Sequence, residues 1–380
     1  MDLSLTESQK MFKNSAREFF KEECPWTKIK EIDESESGFS IELWKKLGEM
    51  GWLGMTFPES CGGMGCGLLD LAVVYEEMGY ALAPLTAFNS AVLCGGLIQE
   101  AGNQAQKERF LATIASGATI FSLAFTEPDF GWMAEDINLT ASRAGAGYRL
   151  QGTKRFLTDA MHADWFICPV RTSREGEPSQ GISLFLIEKT NPALRIRPIR
   201  GFTGEKVYEL ILDNLELPAE NLLGAENRAW PAIAKTLARS SSILCAYMVG
   251  GCQYLLDLTV QYAQTRVQFN QPIGAFQWVQ GYIIEQANQL ERARWSAYEA
   301  LWKLDSGKPW AEQEECVARA KAICSEAYLE CGHLSHEVHA GIGVDRKYPL
   351  YLWSKKSKSL YSYLGDPNQH RKTIARYLGL

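Results

Sequence analysis

The chain has 380 residues, 46% of them hydrophobic, so it can bury substantial cores, and its length suggests two or three domains. A formal net charge of -6 and a pI near 5.6 argue against a general nucleic-acid binder, though a few local donors can still hold a nucleotide's pyrophosphate. The N-terminus lacks the basic, apolar, small-residue order of a secretory signal, and no apolar run reaches the roughly 18 residues of a spanning helix; a cytoplasmic protein without a membrane span is expected.

The first zone, residues 1–118, reads as an all-α domain. Thr6 and Gln9 fit a capping box ahead of Met11, Phe12, Ala16, Phe19 and Phe20 at helical spacing. A Gly/Pro-rich break from Phe57 to Gly67 follows, and helical character resumes at Leu68. Gly62, Gly63, Gly65 and Gly67 invite a phosphate-cradle reading. No Gly-Lys-Ser/Thr follows them, so an interhelical loop is expected.

The second zone, 119–227, changes period. ATIFSLAFT, YRLQGTKRFLT, ADWFICPVRT, ISLFLIE and VYELILDNLEL are β-rich runs separated by Gly, Pro, Asp and Asn. Strands without intervening helices predict a β-barrel or sandwich. In the third zone, 228–380, long helical patterns run over Trp230–Arg266, Phe276–Leu304, Ala311–Val338 and a segment from Tyr348. Joined by short loops, they predict a C-terminal four-helix bundle, and the whole chain is an α+β multidomain protein. Ten cysteines at irregular spacing, with no Cys-x-x-Cys, read as reduced core thiols. His333, His336 and His339 recur every three residues, but the first and third diverge by about 240° on a helix. Surface or interface histidines are expected there, and no metal site.

Six segments in order resemble the acyl-CoA dehydrogenase family. They are Gly51-Trp-Leu-Gly-Met-Thr-Phe-Pro58 with Gly62-Gly63-Met-Gly65 and Glu76-Glu77-Met-Gly79; Thr126-Glu127-Pro128; Gly152-Thr153-Lys154-Arg-Phe156-Leu-Thr158; Leu217-Pro218-Ala219-Glu220-Asn221-Leu-Leu-Gly224; Arg266-Val-Gln268-Phe269-Asn-Gln-Pro-Ile273 with Gln277; and Ala340-Gly341-Ile-Gly343 with Tyr348-Pro349. Each is weak alone; their shared order over nearly the whole chain carries the resemblance.

The resemblance implies FAD. Phe125, Thr126, Phe156 and Thr158 would surround the flavin ring, the aromatic groups packing on it and the threonines reaching its polar edge. Arg266, Gln268, Phe269 and Gln277 would hold adenine and pyrophosphate of a neighbouring subunit's FAD, with Glu337, Gly341, Asp366 and Asn368 completing the set. A cofactor shared across a subunit interface implies a homotetramer, or a heterotetramer with a homologous subunit, and electron-transfer flavoprotein is a possible redox partner. The substrate would be an acyl-CoA or a related thioester.

Family members remove the α-proton with a glutamate. Counted from the C-terminal motif, its usual place is Leu364; a smaller group carries it on the first bundle helix, here Ser240. Neither side chain is a competent base. Asp366 is the nearest carboxylate, with a helix N-cap as its other reading, and Tyr363 is a comparable candidate. The family's Gly-Ser-Asp after Thr-Glu-Pro is Gly131-Trp132-Met133, and the arginine that positions the thioester aligns with Ser241, Arg239 being two residues off. Three readings follow: an oxidoreductase on a thioester with an atypical base, a non-catalytic FAD-sharing subunit of a heteromeric enzyme, and a flavoenzyme on a non-CoA substrate.

Overall fold

The computed structural model describes residues 4–201 and 205–380. Helices come first: α1 (Glu7–Glu23), α2 (Trp26–Glu34), α3 (Ile41–Glu49), α4 (Leu68–Tyr80), a π-helical stretch over Phe88–Gly95, α5 (Gly96–Ala101) and α6 (Gln104–Ala115). Strands follow: β1 (Phe121–Leu123), β2 (Ala141–Ala144), β3 (Gly147–Thr158), β4 (Trp165–Arg171), β5 (Ile182–Glu188), β6 (Leu194–Ile199), β7 (Val207–Leu217) and β8 (Leu222–Leu223). The chain ends with α7 (Trp230–Thr265), a hairpin of β9 (Val267–Gln268) and β10 (Gln271–Pro272), α8 (Gln277–Asp305), α9 (Trp310–His339), α10 (Leu350–Leu360) and α11 (Pro367–Tyr377).

These elements gather into two compact units, neither continuous in sequence. One comprises Met1–Glu31, Gly67–Ala83 and Ser241–Leu380; the other comprises Ile32–Cys66 and Pro84–Ser240. The helical unit therefore adds α1 and α4 to the C-terminal helices. Its α1 starts on the expected box: Gln9 N–H donates to Thr6 Oγ1 at 3.2 Å, and Thr6 N–H to Gln9 Oε1 at 3.0 Å. Two glycines let α4 lie backbone-to-backbone on α7. A Cβ at Gly79 would stand 1.8 Å from the Tyr247 carbonyl oxygen, and one at Gly250 1.8 Å from that of Glu76. No side chain fits either place.

The second unit holds two four-stranded sheets, in the orders β1-β4-β5-β8 and β2-β3-β7-β6. Only β1 with β4 runs parallel among the described pairs between these strands. One core takes Leu150, Leu157, Leu210 and Leu212 from one sheet and Phe166, Cys168, Phe185 and Ile187 from the other. Residues 166–171 of β4 and 182–187 of β5 are all buried, which is why both read as mostly apolar runs rather than alternations. The run ATIFSLAFT shrinks to three strand residues. Past Leu123 the Ala124 N–H still donates to the Ile167 carbonyl of β4 at 2.8 Å. Among the described residues one helix, α7, is long and apolar enough to cross a membrane, and 67% of its most apolar window is buried inside the protein.

Candidate functional site

Two of the resembling segments meet through a buried ion pair. Lys154 on β3 is fully buried; its Nζ donates to Glu127 Oε1 at 2.8 Å and to the Phe125 carbonyl at 3.1 Å. The same carboxylate accepts the N–H groups of Asn138 and Leu139, both at 3.0 Å. Beside it, Arg155 N–H donates to Thr126 O at 2.8 Å, and the Thr126 hydroxyl donates back to the Arg155 carbonyl. Thr126 thus has its hydroxyl proton committed, leaving its lone pairs and N–H for anything else. Phe125 is buried and stacks on Trp132 with centroids 5.0 Å apart.

Phe156 sits in an irregularity of β3, where the register against β7 shifts between Lys154 and Leu157. Its φ of +58° is left-handed, and its ring meets Phe130 edge-on at 5.4 Å. Bulges of this kind redirect a side chain out of the sheet's alternation. Thr158 ends the strand, its carbonyl held by Ser122 Oγ at 2.8 Å. The next residue, Asp159, takes hydrogen bonds from Thr86 at 2.7 Å and from Asn89 of the π-helical stretch at 2.5 Å. Long π-helical stretches are rare and concentrate at functional sites.

The departures at Gly131-Trp132-Met133 lie in a pinned loop. The buried Arg171 guanidinium donates to the carbonyls of Ala134, Ile137, Pro178 and Gln180 at 2.7–2.9 Å, and burial pulls its pKa below the ordinary value. Asp136 accepts the Met133 N–H at 2.8 Å.

In the helical unit, Arg266, Gln268, Phe269 and Gln277 cluster around the β9–β10 hairpin and are all exposed. Phe269 and Asn270 form its two-residue tip with φ of +53° and +64°, a geometry that normally selects Asn and Gly. An aromatic residue in that conformation, 86% exposed, is a strained placement with no packing benefit inside this chain. Glu337 and Gly341 are exposed at the end of α9, and a Cβ at Gly341 would meet nothing within 4 Å. Ala340 occupies the first glycine place of that motif at φ +51°, ψ -135°, a region that glycine prefers.

Both positions that counting from the motifs assigns to the base are buried. Leu364 is 3% exposed with φ +60°, and Ser240 is fully buried with an unpartnered Oγ. Asp366 is the N-cap of α11: its Oδ1 accepts the Gln369 N–H at 2.7 Å and Pro367 follows. Asn368 is exposed on the first turn. Arg239 pairs with Glu100, which Lys235 also reaches at 2.8 Å, so it is engaged away from the Ser241 position. The three histidines do not converge. His333 is exposed near Glu330, but His339 corrects the surface expectation: it is buried, stacks on Tyr262 at 4.3 Å, and bonds the Ser335 carbonyl and Tyr348 OH at 2.8 and 3.0 Å. No group of three metal-binding side chains occurs among the described residues.

Sequence reasoning missed two groups beside Leu364. Lys321 on α9 is fully buried and donates to the Gly365 carbonyl at 3.2 Å; His370 Nε2 donates to the Leu364 carbonyl at 3.1 Å. Burial, with help from the Lys321 charge, pushes His370 down to about 3 from its ordinary 6.5. The unfolded chain therefore binds more protons between those values, and stability drains away as pH falls through that window. From pH 7 to 4.5 this group is expected to remove about 2–3 kcal/mol, a loss His370→Gln abolishes. Denaturant unfolding of both proteins at the two pH values measures it. Lys321, pushed down by burial to about 8 from 10.5, has the same sign, its stabilisation growing as pH rises across that range.

A cavity of about 600 Å³ also lies in the helical unit, lined by Arg17, Lys21, Tyr80, Tyr254, Asp257 and Trp353 among others, and includes none of the expected site residues.

The chain matches the acyl-CoA dehydrogenase N-terminal, middle and C-terminal domains over residues 6–118, 122–215 and 227–379. Mitochondrial isovaleryl-CoA dehydrogenase of Pongo abelii is 32% identical, over 98% of this chain and 89% of that protein. The solved FAD complex of PigA shares 28% identity at a TM-score of 0.92, with 100% of both chains covered. The ChsE4-ChsE5 complex from Mycobacterium tuberculosis gives 26% identity at 0.89, over 100% of this chain and 99% of that one. Family domains matched in order along the chain, and a relative this similar over almost its full length, establish that this protein belongs to the acyl-CoA dehydrogenase family of flavoenzymes.

Proposed function

We propose that the chain is an FAD-dependent oxidoreductase acting on an acyl-CoA thioester, with no carboxylate at either place where its relatives carry the catalytic base. What supports the altered base is Leu364, a buried hydrocarbon in a left-handed turn, at the place where counting from the C-terminal motif puts the family's glutamate. The family's second position offers only the Ser240 hydroxyl, far too weak a base.

The residues present suit FAD. Arg266 brings a cation for pyrophosphate, Phe269 an exposed ring for adenine, and Gln268 and Gln277 amides able to donate or accept. Strain at the Phe269 tip fits a side chain whose partner is outside its own chain, as in a cofactor shared between subunits of a homotetramer or heterotetramer. Gly341 leaves room for close approach, while Glu337, Asp366 and Asn368 offer acceptors for hydroxyls. Phe125, Thr126, Phe156 and Thr158 would frame the flavin. Bound FAD would supply a two-electron acceptor. The chain's own part is to orient the thioester and keep water away at Leu364; Asp366 is occupied in capping α11. Reaction in the reducing direction, or an elimination needing no ordinary α-proton base, suits such a site as well as dehydrogenation does. Ten free cysteines, nine of them buried, fit a reducing compartment such as the cytoplasm.

The purified chain is expected to carry yellow flavin and to bleach under anaerobic titration with at least one acyl-CoA, or to be reoxidised by an enoyl-CoA after chemical reduction. Failure to hold flavin after reconstitution ends this reading. The missing base also favours a second one, a subunit that lends Arg266, Phe269 and Gln277 to a homologue's FAD, much as two proteins are joined in the solved ChsE4-ChsE5 complex. Turnover by the chain alone excludes it.

A further inference from the structure

The turn at 364–366 is gripped by more polar groups than a surface-tied turn needs. Leu364 stands at φ +60° and Gly365 at φ +98°, so the segment holds a backbone shape that a leucine resists. Its successive residues are fixed separately. His370 Nε2 donates to the Leu364 carbonyl at 3.1 Å, Lys321 Nζ to the Gly365 carbonyl at 3.2 Å, and Asp366 caps α11. The second bond of Lys321 goes to Ser325 Oγ at 2.8 Å. Asp366 acts on it electrostatically, but no carboxylate bonds it directly among the described residues. Burying a cation without a bonded counter-ion is costly, and a neutral donor would serve a merely structural carbonyl. Such costs are characteristic of functional sites, where they hold a neighbouring group in one place.

We propose that Lys321 and His370 are positioning residues that lock the 364–365 turn, so that the side chain at 364 meets the acyl group of the thioester at one fixed place. This rests on the thioester reading above.

The test is titration of the flavin-loaded protein with a series of straight- and branched-chain acyl-CoA thioesters, isovaleryl-CoA among them, and with CoA alone, followed by the visible spectrum. Wild type is expected to prefer the acylated ligand. Lys321→Met and His370→Ala should each cut that preference at least fivefold while leaving CoA affinity within twofold, a split that a general loosening of the fold would not produce. His370→Gln, whose amide can still donate to the Leu364 carbonyl, should retain it. If Lys321→Met does not fold, the His370 pair decides. A wild type blind to CoA and to every acyl-CoA of the series overturns the thioester reading and this one with it. A responsive wild type whose variants keep the same preference overturns this inference alone.

Discussion

Leu364→Glu is expected to raise the rate of flavin reduction by the acyl-CoA that the wild type binds best about 10²–10⁴-fold, the usual worth of a positioned general base. The position is prepared for it. The turn already holds φ +60°, and its carbonyls are tied to His370 and Lys321, so a glutamate would inherit a fixed origin rather than a mobile loop. Burial, with residue 364 only 3% exposed, should push the new carboxyl above its ordinary pKa, toward the near-neutral range where a base works best. The Lys321 ammonium behind the turn opposes that rise and keeps part of the population ionised. Burying the carboxyl in its neutral form should cost on the order of 1–3 kcal/mol, so a melting curve must accompany the kinetics. Stopped-flow bleaching of the flavin's visible band reports the rate. A folded, flavin-loaded Leu364→Glu protein that binds this acyl-CoA yet is reduced no faster than wild type would remove position 364 from the chemistry.

Lys154→Met should be the most damaging change to the β unit, costing about 3–5 kcal/mol. Lys154 is fully buried, and without it the Glu127 carboxylate loses its only bonded cation among the described residues while keeping two backbone N–H donors. The loss is a large part of the roughly 5–15 kcal/mol that holds a domain together. It should also release the Thr126–Arg155 pairing next door and with it most of the bound flavin. Adding Glu127→Gln removes the stranded charge, so the double variant should recover part of the stability, as expected for groups in direct contact. Urea unfolding and the flavin-to-protein ratio of the three proteins read both effects. If Lys154→Met unfolds within about 1 kcal/mol of wild type, the pair does not bind the two segments together in the way argued.

Much of the architecture was legible because its signals are local. The Thr6–Gln9 box, the apolar runs of β4 and β5, and Asp366-Pro367 at the head of α11 each depend on residues a few places apart. The strand β6 escaped notice for an equally local reason: Arg195, Arg197 and Pro198 break its apolar pattern, as an edge strand tolerates and a central one does not. The π-helical stretch looks like an ordinary helix in sequence because the same apolar residues serve both.

By itself, then, the chain's order of amino acids determined where helices give way to strands and back, and which short segments look like a flavoenzyme's. Tertiary structure alone decided which distant groups share a burial site. Glu127 and Lys154 stand 27 residues apart, and Lys321 and Gly365 stand 44 apart. His339, expected outside, is drawn inside by Tyr262 and Tyr348, and α1 and α4 join helices more than 150 residues away in one compact unit. The reason is that periodicity and capping act along the chain over one or two turns, whereas the pairing of a buried charge depends on which elements pack together, and that is set by the balance of the whole fold.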